Sequence, residues 1–428
     1  MSQSNEPLNG MAEPTDLLDG MDVEVDLTTQ SLLLAAAHHD LSALKDLLRT
    51  SSATVVDPET GFTPLHAAVA SLELDEEDKE GNEEERTQRR KEELEKGAET
   101  VRLLLQNGAI WNDLDSNDET AGCIARRLGL DEIYGLIVDA GCRAELLLRA
   151  LEQYQPLGDD SDEDDDEEGE GDVVATEVAD AEPEAKAADA MDTDTAVAVD
   201  PSTSNAAYLS STLTQAPRAI LDAGLNGVMM DWETPLMERH AELLLPTPGL
   251  RVLNVGHGMG IIDTFLQKHG PSSHHIIEAH PEVVASMKEK GWDKKPGVVV
   301  HEGRWQDVLP ELIARSAETG EELVFDSVYF DTFAEDYGAL KEFFSEWMIQ
   351  FLDAEGRFGF FNGMGADRQV CYDVYTKVVE MDLFEAGFDV NWEDIKVQNL
   401  QEAGEWDGVR RPYFVADTYK LPTCKFMG

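Results

Sequence analysis

The sequence predicts two unlike folded parts in tandem, an all-α repeat domain and a Rossmann-like α/β domain on a doubly wound sheet, with an acidic segment between them. Three observations predict this. Closely spaced glycines in Val255-Gly256-His257-Gly258-Met259-Gly260 follow a short apolar run, Val252 to Val255, as in a strand that ends at a ligand-binding turn. From about residue 205 onward, apolar runs alternate with helical periodicity, the pattern of a largely parallel sheet covered by helices. Before residue 150, pairs of helical patterns recur about one short repeat apart.

Residues 1–26 carry acids and are expected to be disordered. They lack the basic and apolar segments of a secretory signal, and no apolar run reaches the length of a membrane span. A soluble protein of the cytoplasm and nucleus is expected, with no basic cluster to choose between the two compartments.

Residues 27–150 hold the repeats. In Gly61-Phe62-Thr63-Pro64-Leu65-His66-Ala67-Ala68, Pro64 starts a helix where no N–H is needed and Thr63 caps it. Ala67 and Ala68 keep one face thin enough for a neighbouring unit to stack. Ser31 to Ala37 followed by Leu41, Leu44, Leu47 and Leu48 falls in the same register earlier, and Val101 to Ala109 reads as a second helix with a glycine stop. Thr120 to Ala125 and Leu136 to Gly141 form a third unit, while residues 72–96 form a charged insertion. The Thr63-Pro64-Leu65-His66-Ala67-Ala68 string resembles the ankyrin repeat. That resemblance implies about three stacked units offering a concave surface to another protein.

Residues 151–204 contain the acid run Gly158 to Asp172, then alanine, threonine and aspartate with almost nothing large to bury, and read as a disordered acidic linker. The net charge of −55 argues against nucleic acid as a direct ligand and favours basic proteins through electrostatic steering. Cys123, Cys142, Cys371 and Cys424 make no Cys-x-x-Cys pair and sit near no histidine set, so neither a disulfide framework nor a metal site is indicated.

In residues 205–428, strands are expected at Val252–Val255, His275–Ile277, Val298–His301, Phe325–Phe330 and Gly356–Phe361, with a late pair near Lys396 and Tyr413. Glu278 ends the second of these roughly 20 residues past the glycine loop, where a carboxylate reaches ribose hydroxyls. Both NAD and S-adenosylmethionine present such a ribose. The Gly-x-Gly-x-Gly spacing departs from the dinucleotide fingerprint, and no second cofactor half follows, which disfavours an NAD-dependent oxidoreductase. Two further strings, Val228 to Met237 and Tyr329 to Phe333, supply the carboxylates Glu233 and Asp331 among aromatics and methionines, with Met229, Met230 and Trp232 as pocket walls.

Over about the last half of the chain, Trp232-Glu233-Thr234-Pro235, the Val-Gly-x-Gly-Met-Gly loop and Phe330-Asp331-Thr332 resemble guanidinoacetate methyltransferase. Joined to ankyrin-like units and an acidic linker, the architecture resembles the fungal type IV protein arginine N-methyltransferases, which methylate the internal δ-nitrogen of arginine. The resemblance implies a class I methyltransferase fold, S-adenosyl-L-methionine as cofactor, and a ribosomal or otherwise basic arginine-bearing protein substrate recruited by the repeats. It implies that Val255, Gly256, His257, Gly258, Met259 and Gly260 cradle the methionine portion, that Glu278, Ala279 and His280 hold the ribose, and that Trp305 and Gln306 border the adenine. Met237 would pack near the cofactor, Tyr208 would stand at its entrance, and Asp331 would lie between its methionine end and the guanidino group. Glu233 and Asp331 are then the catalytic pair, with Met229, Trp232 and Glu233 lining the substrate pocket.

The chemistry agrees with that assignment, because a guanidinium stays protonated in water and its delocalised nitrogens are poor nucleophiles. Paired carboxylates can hold the planar fork, localise its charge and receive its proton. They serve the δ or a terminal nitrogen equally, so the δ-nitrogen rests on the resemblance. The competing readings are a small-molecule guanidinoacetate-type N-methyltransferase, and a non-catalytic ankyrin adaptor for basic proteins.

Overall fold

The computed structural model describes residues 27–74, 82–152, 204–320 and 323–428. The expected disordered segments 1–26 and most of 151–204, like residues 75–81 of the charged insertion, lie outside the described residues. The chain divides into two compact units, Met1–Ala140 and Gly141–Gly428, and the division falls inside a helix, short of residue 150.

The first unit is built from three helix pairs: α1 (Leu27–Ala37) with α2 (Leu41–Leu47), α3 (Pro64–Ala70) with α4 (Glu83–Gln106), and α5 (Ala121–Arg127) with α6 (Asp131–Glu152), whose C-terminal half belongs to the second unit. Threonine caps start the first helices of the second and third pairs. Thr63 accepts from the His66 N–H while the His66 ring accepts from the Thr63 N–H, and Thr120 accepts from the Cys123 N–H at 3.1 Å. Leu32, Leu44, Leu65, Val69, Val101, Leu104, Ile124 and Ile137 fill the interior between them. Much of the charged insertion is helical: from Glu83, capped by Asn82, it is the first half of α4 and runs without a break into Leu103-Leu104-Leu105.

After that half of α6, the second unit continues with α7 (Asn205–Ser210) and a small antiparallel sheet of β1 (Thr214–Ala216), β2 (Ala219–Leu221) and β3 (Gly227–Met230). There follow α8 (Thr234–Leu244), β4 (Arg251–Val255), α9 (Ile261–Lys268), β5 (Ser273–Glu278), α10 (Pro281–Glu289) and β6 (Val298–Glu302). The remainder is α11 (Trp305–Thr319), β7 (Phe325–Phe330), α12 (Tyr337–Glu342), α13 (Met348–Phe351), β8 (Leu352–Phe360), α14 (Gln369–Glu385), β9 (Phe388–Lys396) and β10 (Thr418–Phe426). The large sheet has the order β6-β5-β4-β7-β8-β10-β9. Its first five strands are parallel, and β10 runs antiparallel to both β8 and β9.

This is a Rossmann-like fold. The chain starts in the middle at β4, moves outward to β6, and returns to the other side at β7. That reversal opens a crevice at the C-terminal ends of β4 and β7. The apolar runs of β4, β5 and β7 are buried because helices cover both faces, whereas the edge strand β6 leaves Val299 exposed. One expectation needs correction: β10 begins at Thr418, and Tyr413 lies in the preceding loop, one residue after Pro412, which has no N–H to give a ladder.

Beneath the glycine loop sits a buried polar network centred on Asp263 of α9. Its carboxylate accepts from Asn254 Nδ2 at 2.9 Å, His257 Nδ1 at 2.6 Å and His274 Nε2 at 2.8 Å. Gln267 Nε2 lies 2.8 Å from His274 Nδ1, which sets that ring's tautomer and turns its N–H toward Asp263. Burial alone would raise the Asp263 pKa, but the two histidines overcome it and hold the carboxyl well below the usual carboxylate range. Replacing Asp263 by alanine strands three buried donors. The expected loss is about 3–5 kcal/mol, read as a lower denaturant midpoint with unchanged slope. Because the folded pKa is depressed, this stabilisation is present above the unfolded value near 4 and fades as pH falls below it, so the two proteins converge in stability at low pH.

Candidate active site

At the C-terminal ends of β4, β5, β6 and β7 lies a groove. Its floor is Val255, Gly256 and Gly258, and its walls include Met229, Ile277, Glu278, Ala279, Trp305, Gln306 and Asp331, with Tyr208 and Phe333 at one side. Gly256 is required here: its φ is +93°, and a Cβ on it would stand 1.8 Å from the Asp331 carbonyl oxygen. The ends of β4 and β7 are also joined by Asp331 N–H donating to Val255 O at 2.9 Å.

Glu278, the last residue of β5, is held by backbone donors. One oxygen accepts from His257 N–H at 2.8 Å and Gly258 N–H at 3.3 Å, the other from His280 N–H at 2.7 Å. Tyr208 packs between His280 and Phe333, with ring centroids 4.8 and 4.9 Å away. Opposite, Trp305 Nε1 donates to Glu335 at 3.0 Å, Gln306 Nε2 donates to the same carboxylate at 2.8 Å, and Thr332 Oγ1 donates to it at 2.6 Å.

The structure therefore gathers Tyr208, Met229, Val255, Gly256, Gly258, Glu278, Ala279, Trp305, Gln306 and Asp331 around one groove. Other residues named from the sequence stand behind it. The His257 side chain turns away to Asp263 and lies edge-on to Trp292 at 5.0 Å. Gly260 is the left-handed cap of α9, where a Cβ would strike the His257 ring at 2.7 Å. Met259 packs into the apolar clusters on either side and donates its N–H to Met229 Sδ. His280 caps α10 and bonds Tyr208 O at 3.1 Å. Met237 is fully buried, with Tyr329 donating to its sulfur. Trp232 is part of an aromatic cluster with Trp406, Tyr413 and Phe414.

Glu233 closes the turn between β3 and α8 and is only 3% exposed. Its Oε1 accepts from Met230 N–H at 3.2 Å and from the Tyr413 hydroxyl, which in turn accepts from Trp232 Nε1 at 3.0 Å. Burial, then the neighbouring charge of Asp331, push the Glu233 carboxyl up to about 8, against the pull of Tyr413 and Met230 N–H. Burial pushes Asp331 up to about 7, and its Oδ2 is buried without a partner. Two carboxylates within electrostatic reach of each other, one of them with a buried oxygen that has no donor, suit a cation that carries several N–H groups. A wider cleft shares Asn205, Arg304, Gln306, Phe333 and Glu335 with the groove and has Tyr413 in its wall.

The groove also suits the cofactor that the resemblance implies. It offers glycine backbone at Gly256 and Gly258, an end-of-strand carboxylate at Glu278, and an unpartnered acceptor at Gln306 Oε1 beside Trp305. Sequence reasoning missed Tyr413 and Glu335. Glu335 stands just past the Tyr329–Phe333 string and could have been found there, whereas no spacing links Tyr413 to Glu233.

Residues 211–406 match the family model described as guanidinoacetate N-methyltransferase. Protein arginine N-methyltransferase 2 of Aspergillus fumigatus is 56% identical over 97% of this chain and 100% of its own length. The proteins of the same name from Emericella nidulans (53% identical; 95% of this chain, 98% of theirs) and Saccharomyces cerevisiae (36%; 85% and 83%) are also similar. Among solved structures, a putative S-adenosylmethionine-dependent methyltransferase from Listeria monocytogenes aligns over 45% of this chain and 100% of its own with a TM-score of 0.33 and 14% identity, too distant to add to these relations.

A carboxyl with a raised folded pKa costs stability once pH exceeds its unfolded value, here from 4.5 up to about 8, and the full cost holds above that. Glu233→Gln keeps the acceptor for Met230 and Tyr413 and removes the charge. The variant is expected to melt at least about 3 °C above the wild type at pH 9 and level with it near pH 4.5, in thermal unfolding across that range.

Proposed function

The chain belongs to the protein arginine N-methyltransferase 2 family, and from that premise we propose that it transfers a methyl group from S-adenosylmethionine to the internal δ-nitrogen of an arginine in a protein substrate, with Glu233 and Asp331 as catalytic carboxylates. The observation that carries this is the carboxylate pair, raised to about 8 and about 7, with Glu233 buried and the unpartnered Oδ2 of Asp331 beside the cofactor groove.

When bound, the cofactor supplies an electrophilic methyl on a sulfonium. Val255, Gly256 and Gly258 would hold its methionine portion, Glu278 and Ala279 its ribose, and Trp305 with Gln306 its adenine. Glu233, aimed by Tyr413 and Met230 N–H, grips one edge of the guanidinium and holds it in line with the methyl. Asp331 takes the proton released as the nitrogen becomes alkylated. A carboxylate with a pKa near 7 is matched to that task at neutral pH. A protonated pair would not bind a cation, so entry of the guanidinium itself draws both groups into the ionised form.

Likeness to the type IV enzymes supports the δ-nitrogen. The three helix pairs and the threonine caps of two of them support an ankyrin-type surface that recruits the substrate. The charge of −55 supports a basic partner, ribosomal proteins included, over nucleic acid, and reduced Cys123, Cys142, Cys371 and Cys424 fit work in the cytoplasm and nucleus. The match of residues 211–406 to the guanidinoacetate model favours one second reading, a free guanidino acid as substrate.

Labelled S-adenosylmethionine, the purified enzyme and an extract of cells lacking it decide between the two. Label on protein arginine, at the internal nitrogen by mass-spectrometric fragmentation, is expected, with kcat/KM down at least about 10³-fold in Glu233→Ala and Asp331→Ala. Label on guanidinoacetate alone, or label that survives both substitutions, overturns the assignment. Tyr413→Phe removes a hydrogen bond that lowers the Glu233 pKa, so the acid limb of its kcat/KM profile is expected to move to higher pH. The deficit should be roughly 10-fold at pH 7 and shrink toward pH 9.

A further inference from the structure

We propose that Glu335 makes the groove selective for a 6-aminopurine by holding the Gln306 amide in one orientation. This rests on the reading of the groove as the S-adenosylmethionine site. Glu335 is a positioning residue here, acting through Gln306.

An amide side chain has one end that donates and one that accepts, of nearly the same shape, and its neighbours decide which faces where. Three donors converge on the Glu335 carboxylate: Trp305 Nε1 at 3.0 Å, Gln306 Nε2 at 2.8 Å and Thr332 Oγ1 at 2.6 Å. Trp305 and Thr332 leave Glu335 little freedom to move, and a carboxylate accepts only. Gln306 must therefore turn its NH₂ toward Glu335. Its Oε1, on the other branch of the amide, is then buried with no partner.

Gln306, Trp305 and Glu335 all line the groove, and the buried Gln306 Oε1 still needs a hydrogen-bond donor. The 6-amino group of adenine is one. The 6-oxo group of hypoxanthine is an acceptor and would set two carbonyl oxygens against each other, so a site built this way rejects the deaminated base. With glutamine at position 335, its own NH₂ can donate to Gln306 Oε1. The Gln306 amide is then free to turn over and offer its N–H to the ligand.

The test is calorimetric binding of S-adenosylhomocysteine and S-inosylhomocysteine to the full chain, with no turnover involved. The wild type is expected to prefer the adenosyl ligand by at least about 30-fold. Glu335→Gln should bring the two within about 3-fold, chiefly by binding the inosyl ligand more tightly, a gain that mere loosening of the fold would not produce. Gln306→Leu, which has no acceptor to orient, should weaken the adenosyl ligand and leave the inosyl ligand nearly unchanged. A Glu335→Gln protein that keeps the wild-type ratio, or loses both ligands equally, overturns the role of Glu335. A Gln306→Leu protein with the wild-type ratio does the same if Glu335→Gln fails to fold. A wild type that binds neither ligand overturns the cofactor reading and this inference together.

Discussion

Everything at this site depends on how closely the ends of β4 and β7 approach. Gly256 lies against the Asp331 backbone with no room for a single carbon between them, and Asp331 N–H is bonded to Val255 O. That contact puts an acidic side chain at the edge of a loop whose own backbone is bare. The glycine is commonly seen as making space for a ligand; here its nearest claimant is the neighbouring strand. The Asp263 network holds the same loop from below through His257, and Gly260 leaves room for that ring, so loop shape is set by a strand on one side and a buried carboxylate on the other.

The polar groups in this interior fall into two kinds. Asp263 has three donors and a depressed pKa, and it stabilises the fold. Glu233, with two donors on one oxygen, and Asp331, with Oδ2 unpartnered, are raised, and they are carried at a cost that the surrounding aromatic and aliphatic core has to offset. The difference lies in the number of donors more than in burial. Asp263 is saturated with hydrogen bonds, and Asp331 keeps one oxygen without a donor.

Much of this was legible in the sequence. The glycine loop, Glu278 and the Phe330-Asp331-Thr332 strand end are local features, encoded by runs of a few residues with a period of two or a fixed spacing, and the structure brings them around one groove. What was less legible depends on side-chain direction. His257 sits between two residues that line the groove, and Met259 and His280 each follow one, yet their side chains point to α9, the flanking clusters and α10, because neighbours along a turn or a strand face opposite ways. Tyr413 is the clearest loss. It reaches Glu233 only because the loop before β10 crosses the small sheet, where its ring lies against Gly227, and no sequence period reports such a meeting.

The order of the large sheet has a consequence for how the protein is made. β10 follows β9 in the chain but lies between β8 and β9, so β9 has no place in the sheet until β10 has been synthesised. Until then β8 ends in an open edge, a surface that invites pairing with other chains. Tyr413 precedes β10 and is brought to Glu233 from the same late segment. A nascent chain can thus complete its glycine loop early, yet the acid that would grip a guanidinium acquires its anchor only after the last strand has been inserted, and a partly made enzyme has a groove before it has an aimed active site.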